Sequence, residues 1–155
     1  MNIKNILLAT DFSKHSLNAE YFAISRAESE NAKIHLLHVI QKSAPILAIR
    51  TLDLSEEKIN ESIMEEAEKK LEKILSGMKT KTSAEIIPVI RRGIAYEEIV
   101  KYSNENNIDL IVISTSGKTG FLQKLQGSVA EKVYHTAKCP VLVITPDEEF
   151  FLKPV

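Results

Sequence analysis

Short unbroken apolar runs alternate along the chain with longer segments in which apolar residues recur every three or four positions. The runs are residues 6–9, 34–39, 85–90, 110–113 and 141–144. They are rich in Ile, Leu and Val with little polar alternation, the pattern of strands covered on both faces of a parallel sheet. Between them, Leu17, Tyr21, Ile24 and Ala27 predict a first helix. Ile59, Ile63, Ala67, Leu71 and Leu75 predict a second, with Glu65–Lys69 and Glu66–Lys70 pairs on its exposed side. Tyr96, Ile99, Val100 and Ser103 predict a third, and Val129, Val133 and Ala137 a short fourth.

The punctuation agrees with these elements. Asp11 and Ser13 are expected to cap the first helix and Ser55 the second. Gly77 is expected to end the second helix in a left-handed conformation. Gly93 falls in the turn before the third helix, Asn106-Asn107 closes it, and Pro140 separates the fourth helix from the last strand. Strand and helix alternate without interruption, which predicts one doubly wound α/β domain with five parallel strands and helices on both faces. The long connection, residues 41–54, is too apolar for a passive linker; it reads equally as a flap over a site or as a segment packed on a helix.

Composition narrows the function. The chain has 155 residues, the size of one domain. Its net charge is −1 at a pI near 6.4, so no global basic field exists to collect nucleic acid or anionic lipid. The single cysteine, Cys139, excludes an internal disulfide framework and a cysteine-built zinc site. No apolar run reaches the roughly 18 residues of a membrane span, and the first residues lack the pattern of a signal peptide. The expected compartment is the cytoplasm.

In an open parallel sheet, ligands bind beyond the carboxyl ends of the strands, where the strand order reverses. The candidates are therefore Ala9-Thr10-Asp11, Val39-Ile40, and the stretch from Ser114 through Gly117 and Gly120 to Gly127-Ser128. Three of the five glycines lie in that last stretch, with Ser116, Lys118, Thr119 and Ser128 supplying donors and charge. Gly127-Ser128 opens a helix, so this stretch reads as a phosphate cradle, or alternatively as a plain turn with Ser128 as N-cap. A P-loop is excluded, because Val112 stands where its first glycine is required. Asp11 reads either as an acceptor for ribose hydroxyls or a metal, or only as a helix cap. His35 and His38 are three apart on one strand and face opposite ways, so they cannot share a metal; these two, His15, His135 and Cys139 read as structural.

Three segments resemble the universal stress protein family. NILLATDFSKHSLNA is similar to its first strand and the acid that follows, and LLHVI to its second strand. The segment from Ser114 to Ile144 is similar to the G-x2-G-x9-G-[ST] motif of the family's nucleotide-binding subset. Gly117, Gly127 and Ser128 match that motif with the nine-residue spacer intact, and Ser114 stands at its first glycine. The resemblance implies a Rossmann-like, adenine nucleotide α-hydrolase-like fold with strand order 3-2-1-4-5 over residues 1–146, followed by a tail, 147–155. It implies an ATP-binding homodimer acting as a nucleotide-responsive switch in the stress response, or a non-nucleotide-binding scaffold of the same fold. Ala9, Thr10 and Asp11 would line the adenosine pocket and Val39 would meet adenine. Ile113, Ser114, Ser116 and Gly117 would border ribose and phosphates, and Gly127, Ser128 and Val129 would hold phosphate. Mg2+ would be held mainly by phosphate oxygens, with Asp11 as a candidate protein ligand. No residue is dedicated to activating water, so any ATP hydrolysis is expected to be slow. The twin of the last strand, Val141 to Thr145, would cover it across a two-fold axis. If Ser114 keeps extended backbone it can donate to a phosphate; a required positive φ would weaken binding. The tail residues Phe150 and Phe151 are expected to dock on the domain or its twin.

Overall fold

The computed structural model describes residues 2–41, 55–115 and 128–145. Five strands, β1 (Asn5–Ala9), β2 (Lys33–Gln41), β3 (Ile86–Gly93), β4 (Leu110–Ser114) and β5 (Val141–Ile144), form one parallel sheet in the order β3-β2-β1-β4-β5. The helices are α1 (Ser16–Glu30), α2 (Glu56–Lys79), α3 (Ala95–Glu105) and α4 (Val129–Thr136). This is the five-stranded, doubly wound sheet expected. The 41–54 connection beyond Gln41, the stretch 116–127 and the tail fall outside the described residues.

Strand alternation sorts the core into two layers. Ile6, Leu8, Leu36 and Val112 face α1 and α2, where they meet Ala19, Ala23, Leu71, Leu75 and Met78. Leu7, Leu37, Ile111 and Ile113 face α3 and α4, where they meet Ile99, Tyr102, Ala130 and Val133. Opposite-facing neighbours that are all apolar explain why the strands read as unbroken runs. His35 and His38 obey the same alternation. His35 sits under α3 with Nδ1 2.8 Å from the Tyr102 hydroxyl, and His38 turns to the other face and stacks on Phe12 at 4.0 Å.

Three local expectations need correction. First, α1 does not bury Leu17 and Tyr21, which are 52% and 63% exposed. Its buried stripe is Ser16, Ala19, Glu20, Ala23, Ile24 and Ala27; alanines four apart let the helix approach the sheet closely, which turns the larger side chains to the flank. Second, α1 starts later than expected, at Ser16, and its N-cap position is His15, with no side-chain cap bond. The Asp11 carboxylate instead accepts the Ser13 N–H at 2.9 Å, organising the turn ahead of the helix. Third, Gly77 does not end α2, which runs on to Lys79 and is closed by Thr80, whose hydroxyl donates to the Gly77 carbonyl. The Ser55 cap forms as expected, accepting from the Lys58 N–H. Glu66 pairs with Lys70 at 2.7 Å, whereas the ion pairs among the described residues do not include Glu65–Lys69.

Gly93 ends β3 with φ +154°, a conformation that side-chain-bearing residues avoid. A Cβ there would also lie 2.8 Å from Glu98 Cγ, a contact that the flexible glutamate can relieve. Gly93→Ala is therefore expected to lower the unfolding free energy by about 1–3 kcal/mol, measured by urea denaturation. Adding Glu98→Ala should restore little of it. Full recovery would assign the cost to the contact rather than the backbone.

Candidate functional site

The sheet order reverses beside β1: the chain steps outward through β2 and β3, then returns to the other side of β1 with β4. The carboxyl ends of β1 and β4 splay there, leaving a cleft. Ala9, Thr10, Asp11, Val39, Ile113, Ser114 and Val129 line it, so the structure brings together seven residues singled out from the sequence. Ser128 directly precedes Val129 and caps α4, its hydroxyl oxygen accepting the Glu131 N–H at 3.1 Å. Ser116, Gly117 and Gly127 lie outside the described residues.

The first wall is a tightly tied turn. The Thr10 N–H donates to the Leu37 carbonyl at 2.9 Å, locking the end of β1 to β2. Thr10 Oγ1 donates to Ser16 Oγ, which donates to the Ser13 carbonyl at 2.7 Å. The Phe12 N–H returns to Thr10 Oγ1 at 3.1 Å. Phe12 itself has φ 65°, a left-handed conformation that costs a bulky residue roughly 1–2 kcal/mol. The stack on His38 and the bond to Thr10 hold it there. The turn leaves the Asp11 carboxylate exposed at the cleft mouth.

His38 supports that turn from beneath. Its Nδ1 lies 2.8 Å from the Thr10 carbonyl; a carbonyl only accepts, so Nδ1 carries the proton. Burial holds the pKa of His38 below its ordinary value, partly opposed by the Thr10 bond and the Asp11 charge. Burial likewise lowers His35, helped by Lys33 and opposed by Glu85. Both imidazoles therefore resist charging in the fold but not in the unfolded chain. Stability is then expected to be fully present above about pH 6.5 and to fall as pH drops through the range below it, because the unfolded chain binds the extra protons. Urea midpoints measured on either side of that value should show the decline. A His35→Gln/His38→Gln variant should flatten it, and an unchanged slope would reject these groups as its source.

The opposite wall is apolar. Val39, Ile99 and Ile113 stand in the cleft with Ala95, and Ser114 closes it as the last residue of β4, opposite Ile144. Ser114 is not among the described residues with positive φ, so this position asks for no glycine. Just beyond it, Thr115 is 2% exposed and its Oγ1 has no hydrogen-bond partner among the described residues. The cleft encloses about 140 Å3, less than the several hundred typical of a whole small-molecule site; the described residues thus build part of a ligand pocket. Leu37, His38, Gln41, Ala95 and Ile99 also line it and were not anticipated. Gln41 follows from the carboxyl-end rule once β2 is seen to run two residues past Val39. Ala95 and Ile99 enter only through the docking of α3, which no local signal shows.

Among the described residues, no group of three His, Cys, Asp or Glu side chains is placed to hold a metal ion, and no helix is long and apolar enough to cross a membrane. Cys139 is half-buried, and burial raises its thiol pKa.

Residues 2–145 match the model of the universal stress protein family. Universal stress protein MJ0531 of Methanocaldococcus jannaschii is 36% identical over 141 residues, spanning 91% of this chain and 81% of that protein. The solved structure of MJ0577 from the same organism is similar with a TM-score of 0.77 at 30% identity, over 95% of this chain and 99% of that one. The universal stress protein from Archaeoglobus fulgidus solved in complex with dAMP has a TM-score of 0.66 at 22% identity, over 93% and 99% of the two chains.

Proposed function

Because the chain belongs to the universal stress protein family, we propose that its cleft binds an adenine nucleotide, ATP in the resting case, and that binding switches a cytoplasmic stress-response protein. The observation that carries this reading is the convergence of an exposed acid, an apolar wall and a helix start at one sheet reversal. Adenine suits the wall of Val39, Ile99 and Ile113, and Asp11 is the acceptor for ribose hydroxyls. Phosphates suit the start of α4 at Ser128 and Val129 with the Ser114 hydroxyl, where a helix N-terminus favours anions. Ser116, Gly117 and Gly127 complete the cradle in this proposal. Mg2+ bound with the nucleotide would neutralise phosphate charge, and Asp11 is the carboxylate in the cleft. The dAMP bound by the Archaeoglobus fulgidus relative supports an adenine nucleotide as ligand.

Asp11 and His38 are the titratable side chains among the described lining residues, and His38 commits one nitrogen to the Thr10 carbonyl. This is the equipment of a binding site, with hydrolysis slow at most. The test is mass spectrometry of nucleotide released from freshly purified protein, with calorimetric titration of Mg-ATP against Mg-GTP. Co-purified adenine nucleotide and heat with ATP are expected. An empty protein that gives no heat would leave a nucleotide-free scaffold of the same fold.

A further inference from the structure

On the other face of the sheet, α1 and α2 do not close on each other. Between them runs a groove of about 410 Å3, within the size range of small-molecule sites. Its apolar lining is Phe12, Leu17 and Ile74, and Leu17 is one of the large apolar side chains that α1 leaves exposed. Gly77 lies on the same lining. A glycine inside a helix is about 1 kcal/mol less favourable than alanine. Among the described residues nothing requires it: φ is not positive, and an added Cβ would meet no atom within 4 Å. What Gly77 provides is room in the groove.

The rim is basic. Lys14, Lys70, Lys73 and Lys81 surround the apolar floor. Lys81 is committed to Glu20, a carboxylate only 5% exposed, at 2.7 Å, and Lys70 pairs with Glu66. Lys14 and Lys73 have no ion pair among those described. The groove therefore combines an apolar trough with two lysines that no ion pair among the described residues occupies.

We propose that this groove is a second ligand site, separate from the cleft, for a small amphiphilic anion. Its acyl or aryl body lies along Leu17, Ile74 and Gly77, and its carboxylate, sulfonate or phosphate meets Lys14 and Lys73. The probe is decanoate, titrated into the full chain with Mg-ATP present at saturation and followed by amide chemical shifts. Shifts confined to α1, α2 and the turn at Phe12 to Lys14 are expected, whereas decyltrimethylammonium, of the same chain length and opposite charge, should produce none there. Gly77→Phe should fold normally and abolish the decanoate shifts. Lys14→Glu/Lys73→Glu, two exposed substitutions, should weaken binding about 10-fold or more. No decanoate binding to the wild type overturns the proposal. So do equal binding of the cation, unchanged binding by both variants, or shifts centred on Ala9–Asp11 and Val129.

Discussion

Asp11→Ala is expected to weaken adenine-nucleotide binding by roughly 10- to 100-fold while changing the unfolding free energy by no more than about 1 kcal/mol. The first figure follows from the strength of hydrogen bonds to a charged group, about 1.5–3 kcal/mol each where water is displaced. The second follows from exposure: within the described fold, this carboxylate accepts the Ser13 N–H at 2.9 Å in a solvent-facing turn. The acid is held in place by bonds that it does not itself make. Thr10 Oγ1 receives the Phe12 N–H, the Phe12 ring stacks on His38, and His38 Nδ1 donates to the Thr10 carbonyl. Alanine should therefore leave the turn standing and remove only the acceptor. Asp11→Asn keeps an oxygen for Ser13 and deletes the charge, so its loss should be smaller. Calorimetry beside urea unfolding separates the two effects, and an Asp11→Ala protein that binds within two-fold of the wild type would remove the acid from the site.

The parts of this molecule written locally were readable. Runs of Ile, Leu and Val between helical periods gave five strands and the alternation, because a strand covered on both faces leaves no polar position. The carboxyl-end rule then put Ala9, Thr10, Asp11, Val39 and Ser114 near one another, and the family resemblance added Ile113 and Val129. What failed needed distances between elements. Leu17 and Tyr21 have helical spacing, and only the approach of α1 on its alanines shows that they are left outside. Gly77 looks like a helix terminator until α2 is seen to continue past it. The strand order came through family resemblance, since periodicity does not record which strand lies beside which. The left-handed backbone at Phe12 has no residue signature at all: aromatic residues avoid it, and its bond to Thr10 and its stack on His38 of β2 hold it there.

We propose that β5 pairs with its twin in a homodimer, and Val143→Lys is then expected to leave a monomer. The sheet ends in two different edges. The outer edge, β3, carries Pro88, which cannot donate to another strand, and two arginines, Arg91 paired with Glu105 at 3.0 Å and Arg92 bonded to Asn60. Proline and charge are what discourage strand addition. The other edge, β5, reads Val141-Leu142-Val143-Ile144, with neither device, and its first three residues are only half-buried. A two-fold axis at that edge would pair β5 with its own copy in antiparallel register, covering the unused backbone groups and the apolar side chains. Lysine at 143 would bring like charges together across the axis and remove apolar contact, which should raise the dimer dissociation constant about 100-fold or more, some 2.7 kcal/mol. Val143 packs partly against the core layer of α3 and α4, so Val143→Ala serves as the control for lost volume and should stay dimeric. Sedimentation equilibrium at micromolar concentration reads the outcome. Nucleotide affinity should survive in the monomer, since each described wall of the cleft comes from one chain. A Val143→Lys protein that still sediments as a dimer would move the interface elsewhere, and a monomeric wild type would mean that β5, an edge among the described strands, is tolerated without a second copy.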